Sequence, residues 1–219
     1  MSLSLLNIAF EFCCLCISLF FLTKNRDTFS KITIGYLCVI LLTEITGSWW
    51  RASYHKNNSW IFNIYSIFEA GYICFGFHLL FAKKTLKASG LPIASYIIFI
   101  TIYTIEALSH GVFKYHIITN TVVSICFVLL SLYYFYLLMR QEKTVKIITY
   151  SSFWWVAAIL IYYFGGTMYN LFMFYIVERN FSLGILVHTM LVLNFLLYSI
   201  WSYSYICSSR HQKLLPSLQ

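Results

Sequence analysis

Residues 60–82 read WIFNIYSIFEAGYICFGFHLLFA. The run holds no lysine, arginine, aspartate or proline, and its only ionisable groups of ordinary range are Glu69 and His78. As a helix rising about 1.5 Å per residue it reaches roughly 35 Å, more than the hydrocarbon core of about 30 Å that a membrane presents. Its apolar residues are continuous and do not alternate with polar ones, so it reads as a membrane-spanning helix and not as a strand of an outer-membrane barrel.

Working outward from it, runs of the same kind cover 3–23, 32–50, 91–108, 115–139, 150–177 and 182–207. With 60–82 they predict seven spans in a single all-α bundle over 1–219. Composition agrees. The 219 residues are 60% hydrophobic and only 10% charged, against roughly 25% charged in an ordinary soluble domain. Too little polar surface is left to hold a globule in water, and the wealth of aromatic residues excludes disorder. The first span is not expected to be a cleavable signal peptide, because no basic leader precedes it and its apolar stretch is too long.

Orientation follows from the basic residues, since cytoplasmic loops keep an excess of Lys and Arg. Lys24, Arg26, Lys31, Lys83, Lys84, Lys87, Arg140, Lys143, Lys146, Arg210 and Lys213 fall on one side; Arg51, Lys56, Lys114 and Arg179 fall on the other. The N-terminus is therefore expected outside and the C-terminus in the cytoplasm. This bias explains the net charge of +8, and no basic soluble face is left for a nucleic-acid partner. Trp49, Trp50 and Trp60 flank the outer loop 51–59 and read as an interfacial aromatic belt. All seven cysteines fall within spans, where they are expected to act as packing thiols.

Ionisable residues within a bilayer are costly and usually functional. Glu11, Glu44, Glu69 and Glu106 lie within the first four spans, and His188 within the seventh. Counted from the outer boundary, Glu106 is roughly 6 Å deep, Glu44 roughly 9 Å, Glu11 roughly 12 Å and Glu69 roughly 13 Å, with Asn120, Asn170 and His188 at about 7–10 Å. The inner half offers no carboxylate. These depths predict a polar chamber open to the outside and closed below. Asn63, Ser66, Glu69, Tyr72 and Gly76 recur at three- or four-residue spacing and form one helix face. Gly184, His188, Phe195, Ser199 and Ser202 are expected to do the same on the seventh span. Ala158, Tyr162, Gly166, Asn170 and Met173 form a stripe on the sixth, where small residues allow close packing. Arg51 is placed to close over the chamber. Glu106, nearest the boundary, is expected to snorkel to water, and His78 to sit at the inner interface.

The sequence has no HExxH helix, no GxSxG elbow and no phosphate-binding loop, so no catalytic residue is assigned. No span contains lysine, which excludes a retinal Schiff base. The topology resembles that of heptahelical receptors, although Asn194-Phe195-Leu196-Leu197-Tyr198 echoes their NPxxY motif only by chance, lacking its proline. Residues 57–69, NNSWIFNIYSIFE, resemble a segment of uncharacterised bacterial seven-span inner-membrane proteins. That resemblance implies an inner-membrane location and no activity, and it draws attention to Asn63, Tyr65 and Glu69.

The expected function is that of a receptor- or sensor-like protein whose outward-facing pocket binds a small molecule through Glu11, Glu44, Glu69, His188, Asn63, Asn120, Asn170 and Arg51. A cationic or hydrogen-bond-donating ligand suits such a pocket. Beyond that ligand and the surrounding lipids, a cytoplasmic or membrane signalling partner is expected; no cofactor or metal is. Two alternatives stand beside it: a proton-coupled small-molecule transporter, and an intramembrane enzyme acting on lipid or isoprenoid substrates.

Overall fold

The computed structural model describes residues 3–23, 27–84, 86–140, 150–178 and 183–214, with backbone alone at 3, 83–84, 86–87, 172–178, 183–187 and 211–214. The described residues are helical, with no strand among them. The helices are α1 (Leu3–Leu22), α2 (Thr28–Tyr54), α3 (Ser59–Lys84), α4 (Gly90–His110), α5 (Ile117–Met139), α6 (Ser151–Glu178) and α7 (Leu183–Leu214), with a 3-10 turn at Leu86–Ser89 before α4. Six are long and apolar enough to cross a membrane, over Ser4–Leu22, Thr28–Tyr54, Ser59–Ala82, Gly90–His110, Ile117–Met139 and His188–Arg210. Their outer surfaces bear Phe20, Leu42, Ile97, Leu108 and Met139, each more than half exposed. Water would not tolerate so continuous an apolar coat, and this is the surface of an integral membrane protein.

Helix ends follow local chemistry. Asp27 caps α2 by accepting from the Ser30 amide at 3.0 Å and the Ser30 hydroxyl at 2.8 Å, satisfying a donor that the first turn leaves open. At its other end His55 adopts the left-handed conformation (φ 51°) and donates its amide to the Arg51 carbonyl, a geometry open to few residues other than glycine. Pro92 stands in the first turn of α4, where its missing N–H costs no helical bond.

Each helix packs on its sequence neighbours, and α7 packs back on α1, so the seven form a closed ring; α3 also touches α5 behind α4. On the α6–α7 seam, a Cβ at Gly165 would stand 2.5 Å from the Leu193 Cδ2. Small residues let helices approach closely where lipid gives no hydrophobic drive for their association.

One half of the ring is filled with rings. Trp155, Trp201, Phe77, Phe81 and Tyr134 are all buried. Phe29 and Tyr72 stack at 5.8 Å, and Trp155 meets Phe29, Phe77 and Tyr72 edge-on at 5.6, 5.5 and 6.1 Å. Such spacings are those aromatic quadrupoles favour. Trp155 closes on bare backbone at Gly76, where a Cβ would stand 2.5 Å from its ring. The polar edges are paired: the Trp155 indole N–H donates to the Tyr72 hydroxyl at 3.2 Å, which also shares a hydrogen bond with Thr33 at 3.0 Å.

The expected helices therefore form, with ends displaced by a few residues. Two expected details change. Of the cysteines, Cys14, Cys74 and Cys207 are buried, but Cys13 and Cys16 lie on the outer surface. The inward face of α7 is Leu193, Leu197, Tyr198, Trp201, Ser204 and Tyr205, all buried; His188, Phe195 and Ser199 face outward. Serine does not mark a helix interior, because its hydroxyl can bond its own helix: Ser202 Oγ donates to the Tyr198 carbonyl at 2.7 Å, the usual escape for a helical hydroxyl. The side chains of Lys24, Arg26, Lys83, Lys84, Lys87, Lys143, Lys146, Met173, Arg179 and Lys213, and the surroundings of Gly184, lie outside what the structure describes.

Candidate functional site

The other half of the ring is hollow. A cavity of about 160 Å³ lies among the N-terminal half of α1, the middle of α2, the N-terminal half of α3, the loop before α5 and its first turn, and α6 and α7. Glu11 enters it from α1, Thr43 and Glu44 from α2, Ser66 and Glu69 from α3, and Asn120 from α5. Tyr36, Tyr65, Tyr115, Tyr162 and Tyr198 supply most of the remaining wall, with Asn194; Ile40, Phe62 and Leu197 are its apolar part. Among the described residues, no lysine, arginine or histidine lines it.

The hydrogen bonds hold this wall in shape. The Tyr163 hydroxyl donates to Glu69 Oε1 at 2.8 Å, fixing that carboxylate from α6. The Tyr198 hydroxyl donates to Glu11 Oε1 at 3.3 Å, from α7. Glu11 is 2% exposed, and its Oε2 has no hydrogen-bond partner. Tyr36 and Tyr65 share a hydrogen bond of 2.7 Å. The Tyr36 ring also stacks on Tyr72 at 4.0 Å, so it belongs at once to the cavity and to the aromatic layer beneath. Asn194 Nδ2 donates to Asn7 Oδ1 at 3.2 Å and ties α7 to α1.

Four of the eight expected site residues, Glu11, Glu44, Glu69 and Asn120, thus meet in one cavity. The other four do not reach it. Asn63 is 1% exposed; its Nδ2 donates to the carbonyls of Val112 and Lys114 at 2.8 and 2.7 Å, and its Oδ1 accepts from the His116 amide at 3.4 Å. It fastens the α4–α5 loop to α3. Arg51 donates to Asn58 Oδ1 at 3.0 Å, and Asn58 Nδ2 donates to the Gly47 carbonyl at 3.0 Å. This clip shapes the α2–α3 loop and leaves the Arg51 guanidinium within electrostatic reach of Glu44. Asn170 is buried on α6 away from the cavity, and His188 lies on the outer surface of α7.

Glu106 also differs from expectation. Instead of snorkelling to water it is 7% exposed and accepts from the Thr119 amide at 2.8 Å, the Thr119 hydroxyl at 2.7 Å and the Ile118 amide at 3.3 Å. It caps α5 from α4, where His116 supplies no side-chain cap of its own, and its charge faces the positive end of the helix. His78 is half-buried and donates from Nδ1 to the Ser89 carbonyl at 2.9 Å. Trp50 and Trp60 pack edge-on at 5.4 Å beside the exposed Trp49, as a belt at this end would require.

The tyrosines escape a search for ionisable groups, since a Tyr in a span first reads as apolar bulk. Spacing carried a signal: Tyr65 and Tyr72 stand four before and three after Glu69, on one helix face. Among the described residues no three His, Cys, Asp or Glu stand close enough to hold a metal ion. No protein-family model, curated protein or solved structure matches the chain.

Proposed function

We propose that the protein is a seven-span membrane receptor or sensor that binds a small hydrogen-bond-donating or cationic molecule in the cavity, entering from outside the cell. In this reading α6, 28 residues long and packed between α5 and α7, is the seventh span. The bias of the basic residues supports an N-terminus outside and a C-terminus in the cytoplasm of a bacterial inner membrane. A signalling partner at the basic inner loops would take the output.

The observation that carries this reading is the pairing of a hollow, carboxylate-bearing half with a filled aromatic half. Polar groups that converge in a concave, partly apolar space are the usual mark of a small-molecule site, and the aromatic layer abuts it at Tyr36. The same carboxylates would serve a proton-coupled transporter, whose cycle also needs access from below.

Binding and flux separate the two. The full-length protein in nanodiscs is titrated with a panel of small amines, alcohols and amides by intrinsic Trp and Tyr fluorescence, and in proteoliposomes the same compounds are followed across an imposed pH gradient. Saturable binding without flux, lost in Glu69→Gln, is the expected result. Flux lost in that variant identifies a transporter, and neither binding nor flux overturns both readings.

A further inference from the structure

We propose that the ligand is a small organic ammonium ion, with Glu11 as its anchoring carboxylate and the tyrosine rings as its walls. The inference rests on the small-molecule reading of this cavity and assigns the ligand its chemistry.

Three observations carry it. The first is the orphaned atom. Glu11 is 2% exposed, yet its Oε2 is unpartnered in the cavity wall. A buried acceptor without a donor is destabilising, so a donor brought to this carboxyl group by a ligand in the adjoining cavity would be favoured. The second is the sign of the wall. Three carboxyl groups line the cavity and, among the described residues, no Lys, Arg or His does. A cation placed beside these carboxyl groups stabilises their ionised forms, whereas an anion does not.

The third is size and surface. The carboxylates are too dispersed to enclose one bare metal ion, so a ligand that engages Glu11 and fills the rest must have a body of its own. The cavity, at about 160 Å³, compares with the engineered void of about 150 Å³ that takes up benzene. Tyr65, Tyr162 and Tyr198 give this space an aromatic lining. Aromatic rings attract an ammonium group, the more so when water is excluded. The N–H of a primary or secondary amine would donate to Glu11 Oε2, and its apolar body would lie against the rings, Ile40 and Leu197.

Three probes of one shape test this on the full chain in nanodiscs: benzylamine, benzyl alcohol and benzoate, each titrated by calorimetry. Benzylamine is expected to bind at least tenfold more tightly than benzyl alcohol, with benzoate not binding. Glu11→Gln should weaken benzylamine at least tenfold and leave benzyl alcohol within about twofold, a difference that general misfolding would not produce. Should Glu11→Gln fail to fold, Ile40→Trp, which fills the space without touching a charge, must abolish binding of both. Equal binding of alcohol and amine, or amine binding indifferent to Glu11→Gln, overturns the ammonium assignment and leaves the pocket standing. Failure of all three probes to bind overturns the assignment and the pocket together.

Discussion

One ring of helices carries two unlike halves, one hollow and one solid. Where Glu11, Glu44 and Glu69 point inward, hydroxyls from the facing helices take up fixed positions against them, as Tyr163 does with Glu69 and Tyr198 with Glu11. Directional bonds hold those rings at the edge, and a space remains between them. Where Phe29, Tyr72, Phe77, Trp155 and Trp201 point inward, the rings interlock by shape around a few hydrogen bonds at their polar edges. Helix association in a membrane depends on close packing in place of a hydrophobic drive. The solid half is therefore expected to hold the ring together, and the hollow half to be supported by its polar ties. Each substitution below bears on that division.

The largest effect is expected from Trp155→Ala. Its side chain is 2% exposed and touches Phe29, Phe77 and Tyr72. Deleting a buried Trp costs about 3–5 kcal/mol, and the detergent-solubilised variant should show a thermal midpoint well below that of the parent. A loss under 1 kcal/mol would mean that the solid half does not carry the ring. Gly76→Ala attacks the same contact from α3, since the added Cβ meets the Trp155 ring at 2.5 Å. Overpacking of this kind costs about 1–3 kcal/mol, measured in the same melt.

The two halves were not equally legible in the sequence. Hydropathy set all seven helices, because a membrane admits almost nothing else. Depth alone brought Glu11, Glu44, Glu69 and Asn120 to one level, and the structure joins them in one cavity. Rotation about the helix axis was harder to read. A soluble helix shows its interior by being apolar there, but a lipid-facing helix is apolar all round. On α7 the serines misled, and Tyr198, Trp201 and Tyr205 marked the true interior. Depth also cannot tell a carboxylate that faces a cavity from one that caps a helix, and Glu106 is of the second kind. Asn63 and Arg51 show the same limit: both serve loops whose course no local pattern reveals.

Glu106→Gln sharpens the account of the hollow half. α4 lends no side chain to the cavity, so this change should leave ligand binding alone while loosening the start of α5. Loss of a charged cap costs about 1–2 kcal/mol. Hydrogen exchange should accelerate at the amides of Ile118 and Thr119, with protection in α1 and α7 unchanged. Acceleration spread through every helix would show that the cap supports the whole ring.

The smallest effect is expected at the seam, from Tyr36→Phe. Tyr36 stacks on Tyr72 at 4.0 Å below and shares its hydroxyl with Tyr65 at 2.7 Å above. Phenylalanine keeps the stack and removes only the hydroxyl, so stability should fall by about 0.5–1.5 kcal/mol, the net worth of one hydrogen bond. The consequence for the cavity should exceed the energy, because Tyr65 then loses the partner that fixes its hydroxyl in the wall. Benzylamine affinity is expected to drop severalfold while the melt barely moves. A melt lowered as far as that of Trp155→Ala would place the seam's strength in the hydrogen bond and not in the stacked rings, and the solid half would then end below Tyr36 instead of at it.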